Sequence, residues 1–156
     1  MALDKVHGRS FKTELPMIAF SRVPPSPPLE DLSKANVALV TTCGPVPLGN
    51  PDRLEAHAAT KWKIYQVEDF GGPALKDVDI AHGGYSPTYA ERNGNRVFPV
   101  DVMLELEAQG VIGHFHRDLY VTVGNSMPVS RAEQFGAEIA RSLKDGGVDA
   151  AILTSA

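Results

Sequence analysis

The sequence predicts an α/β domain with a mostly parallel sheet and helices on both faces, a three-layer arrangement of the Rossmann or flavodoxin-like kind, preceded by a proline-rich extended arm. Three observations carry this expectation. Short apolar, β-branched runs recur along the chain as buried strands do. Two of the intervals between them carry helical periodicity, and strands alternating with helices imply a parallel sheet covered on both sides. The runs also end in loops rich in Gly, Ser, Asn and Thr, and in open parallel sheets the working surface lies beyond the carboxyl ends of the strands.

In chain order, the arm comes first. Pro16, Pro24, Pro25, Pro27 and Pro28 fix φ and remove donors, so Leu15 to Leu29 is expected to run extended. Met17, Ile18, Phe20 and Val23 give it apolar contacts to make, either over its own domain or as a lid or docking strap. We place the arm at residues 1–35 and the α/β domain at 36–156. Val37 to Val40 reads as the first buried strand, ending at Thr41, Thr42, Cys43 and Gly44. A polar loop runs from Pro45 to about Thr60. Trp62, Ile64, Tyr65 and Val67 suggest a second, weaker strand, and Val78 to Ile80 a third leading into His82, Gly83, Gly84 and Tyr85.

A helix is predicted from Pro99, which a first turn tolerates, with Asp101 near its positive end and Gly110 as its stop. Leu119 to Val123 is a strand ending at Gly124, Asn125 and Ser126. Ser130 and Glu133 have capping-box spacing. Ala132, Phe135, Gly136, Ile139, Ala140 and Leu143 then follow a 3.6-residue period that Gly146 and Gly147 terminate. Val148 to Thr154 is the last strand. A final buried strand usually has a covering element after it, so the domain is expected to be truncated at its C-terminal end. An exposed last strand there would favour homo-oligomer formation.

Composition narrows the function classes. The 156 residues are 43% hydrophobic and 22% charged, with a formal net charge of −4. That is ordinary globular composition, and it offers no basic patch for nucleic acid. No apolar run approaches the roughly 18 residues of a membrane span, and residues 1–16 lack the apolar core of a signal peptide. Cys43 is the only cysteine, so the chain cannot form an internal disulfide, which fits a cytoplasmic setting.

Four loops are candidate chemistry: Thr41 to Pro47, His82 to Tyr89, Gly124 to Pro128, and the chain after Ser155. His82-Gly83-Gly84-Tyr85 has the composition of a loop whose glycines turn N–H groups toward an anion, with His82 binding a carboxylate or moving a proton. It equally suits a tight turn with a structural histidine. Asn125 and Ser126 offer an amide and a hydroxyl near a helix start, or plain turn and cap chemistry. Thr42 belongs to the same strand-end set. Cys43 is either a small filler or an accessible nucleophile in need of a lowered pKa. His114, His116 and His57 read as surface histidines, and no metal site is expected.

These loops carry a resemblance. Residues 37–53 (VALVTTCGPVPLGNPDR), 82–101 (HGGYSPTYAERNGNRVFPVD), 120–129 (YVTVGNSMPV) and 146–155 (GGVDAAILTS) are similar, in order, to the C-terminal-half region of selenoprotein B of glycine, sarcosine and betaine reductases. The D-proline reductase selenoprotein resembles the chain more distantly. The resemblance implies a selenocysteine just after Ala156, followed by Gly-Thr-Cys, and so a reading frame ended at UGA or a chain cut there. It implies thiol- or selenol-dependent reductive C–N cleavage of a small amino acid held as a Schiff base by a pyruvoyl group on a different subunit. The carboxymethyl group then passes to selenoprotein A. The partners it implies are the substrate and the other reductase-complex subunits.

Two features depart from the pattern. Cys43 stands where a small noncysteine residue is expected, and the longer N-terminal part of a full-length selenoprotein B is missing. On the resemblance, His82, Gly83, Gly84, Tyr85, Asn125, Ser126 and Thr42 would line the substrate side. The alternatives are a noncatalytic ligand-binding or interaction subunit without a redox centre, and a cysteine-dependent enzyme using Cys43 with His82.

Overall fold

The computed structural model describes residues 2–12 and 23–156. Its centre is a four-stranded sheet in the order β3-β5-β1-β6, built from β1 (Asn36–Thr41), β3 (Lys63–Tyr65), β5 (His114–Val121) and β6 (Ala150–Thr154). β1 runs parallel to both β5 and β6, as its continuous apolar run predicts, and all but its first residue are buried. The fold is therefore the mixed α/β class, with a mostly parallel sheet.

One strand is antiparallel within the mostly parallel sheet, and the place of another is corrected. β3 pairs antiparallel with β5, through Lys63↔Val121, Ile64↔Tyr120 and Tyr65↔Leu119. Val78–Ile80 (β4) does not join the main sheet: it pairs antiparallel with β2 (Pro45–Pro47), in a segment read from sequence as loop. Prolines at both ends of β2 suit a two-stranded edge pairing, where missing donors cost little. β5 also starts earlier than expected. Its register against β1 advances from Phe115 opposite Val37 to Leu119 opposite Leu39, so a bulge interrupts the alternation around His116 to Asp118.

Successive strand residues point to opposite faces, and each face meets a helix. On one, Val37, Leu39, Phe115, Leu119 and Val121 pack with Phe70, Leu75, Phe98 and with Val100 and Met103 of α3 (Val100–Ala108). On the other, Ala38, Val40 and Tyr120 meet Ile139 and Leu143 of α4 (Val129–Asp145). The α4 boundary differs from the sequence expectation: Pro128 occupies the N-cap without a side-chain hydrogen bond, and Ser130 lies inside the first turn. The capping box therefore does not form, because a proline ahead of Val129 already sets the helical entry.

Residues 2–12 include a short exposed helix, α1 (Ala2–Val6), rather than extended chain. Residues 23–34 lie exposed, with one helical turn at Leu32–Lys34. The apolar arm residues Met17, Ile18 and Phe20 lie outside the described residues. A short helix α2 (Thr88–Arg92) follows the His82 loop. Among the described residues, no helix is long and apolar enough to cross a membrane.

Candidate functional site

The ends of β1 and β6 are tied together first. Thr42 N–H donates to the Thr154 carbonyl (3.1 Å), and Gly124 N–H donates to the Thr42 carbonyl (3.0 Å). The loops after β1, β5 and β6 therefore end side by side, as the strand-end rule leads one to expect. The fourth loop arrives from outside the main sheet. Ala81 N–H donates to the Gly44 carbonyl (2.8 Å), which carries the chain from β4 to the same end. Gly44 has φ +71°, and a Cβ there would stand 2.5 Å from the Ala81 carbonyl oxygen, so only glycine permits this approach.

Between these loops lies a cleft of about 260 Å³. It is lined by Thr42 after β1, His82 and Gly84 after β4, Gly124 and Asn125 after β5, and Ser155 and Ala156 after β6. Of the residues singled out from sequence, Thr42, His82, Gly84 and Asn125 meet there. Ser155, Ala156 and Gly124 complete the lining. Gly83, Tyr85 and Ser126 are not part of the lining. Ser126, in the left-handed region at φ +56°, donates to Asn125 Oδ1 (3.4 Å).

The glycines act differently from the expectation. Neither Gly83 nor Gly84 adopts positive φ. Gly83 N–H donates to the Ala56 carbonyl (3.0 Å) and Gly84 N–H to His82 Nδ1 (3.1 Å), so both amides are already engaged and no anion-binding nest forms. What the site uses is the missing side chain. A Cβ on Gly84 would lie 2.9 Å from His82 Cε1 and 3.3 Å from Asn125 Oδ1, in the space between them.

His82 accepts at Nδ1, which leaves its proton on Nε2 when the ring is neutral. Burial, with neighbouring His57 second, holds its pKa below the ordinary histidine value. The cleft therefore combines a neutral imidazole N–H, the hydroxyls of Thr42 and Ser155 (3.2 Å apart) and an amide. Such a set can hold a small polar molecule through donors and acceptors without a fixed charge. Tyr85 donates its hydroxyl to the Cys43 carbonyl (3.0 Å) and its ring packs on His82 with centroids 4.8 Å apart. Burial pushes the Tyr85 hydroxyl up to about 12, so it braces the loop as a neutral phenol.

Cys43 is 1% exposed, and burial raises its thiol pKa against opposing hydrogen bonds with Thr41 and Thr154. A protonated, enclosed thiol is a poor nucleophile. His114 pairs with Glu107 (2.7 Å) and His116 lies 3.7 Å from Asp118. Among the described residues, no group of three His, Cys, Asp or Glu could hold a metal ion. His57, read from sequence as a surface residue, is exposed yet contacts Asn125, with Asn125 Nδ2 2.7 Å from His57 Nδ1. Nothing local announces this, because residue 57 reaches the site only through the folding of a loop.

The class is thus an α/β domain with a polar cleft at the carboxyl ends of parallel strands, where such sheets place their working surface. The family model of glycine/sarcosine/betaine reductase selenoprotein B matches residues 1–156, and the chain belongs to that family. It is 51% identical over 155 residues to the glycine reductase complex component B subunit gamma of Carboxydothermus hydrogenoformans, covering 99% of this chain and 36% of that one. It is 41% identical over 155 residues to the sarcosine reductase complex component B subunit beta of Peptoclostridium acidaminophilum, again 99% and 36%. The D-proline reductase subunit gamma of Acetoanaerobium sticklandii is more distant, at 30% over 131 residues, 83% of this chain and 52% of that one. The chain thus spans about a third of the length of the component B relatives it matches. No solved structure matches it significantly.

Proposed function

We propose that this chain supplies the substrate side of a component B subunit in a glycine, sarcosine or betaine reductase, working in the cytoplasm with the other subunits of that complex. One observation carries the reading: Ser155 and Ala156, at the end of β6, line the same cleft as Thr42, His82, Gly84 and Asn125. A selenocysteine placed just after Ala156 would emerge at that cleft, where it would supply the reducing selenol for C–N cleavage. The chain's own residues would hold the substrate. The His82 Nε2–H is a donor for a carboxylate, the Ser155 hydroxyl, which accepts from Thr42 Oγ1 (3.2 Å), can turn its own O–H to serve as a second, and about 260 Å³ suits a molecule of few heavy atoms. The enclosed Cys43 thiol argues against a Cys43–His82 enzyme.

The test is titration with glycine while following the backbone amide signals of Gly84, Asn125 and Ser155. Shifts at these three, absent in Gly84→Leu, are expected. Signals that stay fixed at millimolar glycine would sink the reading. Joined to the selenocysteine-containing segment, or its cysteine version, and given the partner subunit, the chain should support thiol-dependent reductive cleavage of glycine, with thiol oxidised as the C–N bond is reduced.

A further inference from the structure

The contact between His57 and Asn125 settles which way the Asn125 amide faces. Asn125 Nδ2 lies 3.2 Å from the Ala56 carbonyl oxygen and 2.7 Å from His57 Nδ1. The first partner only accepts, so the group facing it must be the NH2. An amide NH2 has no lone pair to offer, so His57 Nδ1 must accept as well. His57 is therefore the neutral Nε2–H tautomer, and both amide hydrogens of Asn125 are consumed behind the cleft. Only Oδ1 is left for the lining, with one lone pair taken by the long bond from Ser126 Oγ (3.4 Å) and the other open. The opposite amide orientation would set two carbonyl oxygens 3.2 Å apart.

The clamp has further fastenings. Ala58 N–H donates to the Asn125 carbonyl (2.8 Å), and Arg131 Nη1 donates to the Ala58 carbonyl (3.0 Å). The His57 ring also lies over Gly83, where a Cβ would stand 2.1 Å from His57 Nε2. Any side chain at residue 83 would displace the ring from Asn125.

We infer that His57 is a positioning residue that fixes Asn125 with Oδ1 toward the bound molecule, making the cleft select a ligand that donates a hydrogen bond there. This rests on the cleft being the substrate site. A primary or secondary ammonium carries N–H donors for Oδ1, whereas a quaternary ammonium carries none and leaves the oxygen, on binding, with only the long bond from Ser126 Oγ (3.4 Å). The selected class is then an amino acid with at least one N–H.

The experiment compares glycine, sarcosine and betaine binding to the wild-type chain, His57→Phe and His57→Gln. Phenylalanine keeps a ring over Gly83 but cannot accept; glutamine keeps an acceptor. Wild type is expected to prefer glycine and sarcosine over betaine by about tenfold or more, His57→Phe to lose that preference, and His57→Gln to recover part of it. Unchanged selectivity in His57→Phe would overturn the inference while leaving the cleft as the site. If the wild type binds none of the three, the substrate reading fails, and imidazole 15N shifts still decide the clamp. An Nε2–H tautomer at His57 with slowly exchanging Asn125 amide protons supports it; an Nδ1–H tautomer overturns it.

Discussion

The two faces of the sheet are covered very differently. On the α3 face, twenty buried residues among those described form one cluster around Phe115, Phe70 and Phe98. On the α4 face, only five do, around Tyr120, with Trp62 stacked on it at 6.0 Å and tied through Nε1 to Glu138 (2.8 Å). Beside α4 a groove of about 370 Å³ stays open between Phe135, Ile139, Val40 and Leu153. One face is closed over by a large buried cluster, and the other keeps an open groove. The thick face therefore sets the stability, while the thin face tolerates change.

That contrast can be broken by paired truncations. Phe115→Ala should cost about 3–5 kcal/mol, because a wholly enclosed ring leaves a cavity its neighbours cannot close. Ile139→Ala, bordering the groove, should cost about 2 kcal/mol, since solvent already reaches its surroundings. Urea denaturation of both variants measures the difference. Equal losses would show that the α4 face is packed as tightly as the other.

The next effect is on pH. The folded chain keeps His82 neutral where the unfolded chain protonates it, so unfolding takes up a proton in the window between the depressed folded pKa and the ordinary one. Stability should be fully present above the ordinary histidine value and fall as pH drops through that window. His82→Gln should flatten this part of a denaturation-midpoint curve. An unflattened curve would assign the dependence to other histidines.

The smallest effect on stability is expected at the β6 edge. Ile152 and Leu153 are 42% and 75% exposed on opposite faces of an edge strand, an arrangement that invites pairing with another strand. Leu153→Glu should change stability by no more than about 0.5 kcal/mol, yet lower any self-association seen by sedimentation. A sedimentation profile that does not change would remove this edge from consideration as a contact surface.

Legibility in the sequence followed the range of the interaction. Val37 to Val40 announced β1 because burial on both faces leaves an unbroken apolar run, and Gly110, with φ +70°, announced the end of α3. β4 was legible as a strand but not as a member of the smaller sheet, since its partner Pro45–Pro47 looks like loop. Gly83 and Gly84 drew notice for the wrong property: conformational freedom was read where absence of a side chain is used. The strand-end rule marks the chain after Ser155, and Ser155 and Ala156 do line the cleft. His57 could not, because its partners lie 26 and 68 positions away in the chain.

The Ala56 carbonyl accepts from Gly83 N–H and from Asn125 Nδ2, so a single oxygen joins three loops. Joining residues that distant requires closing long stretches of chain before the bonds form, which slows assembly and places it late. The cleft should accordingly be among the last parts of the molecule to become native. A nascent chain, or one opened locally at any of these loops, would carry a formed sheet with no receptor on it, and a small ligand would bind only to the finished fold.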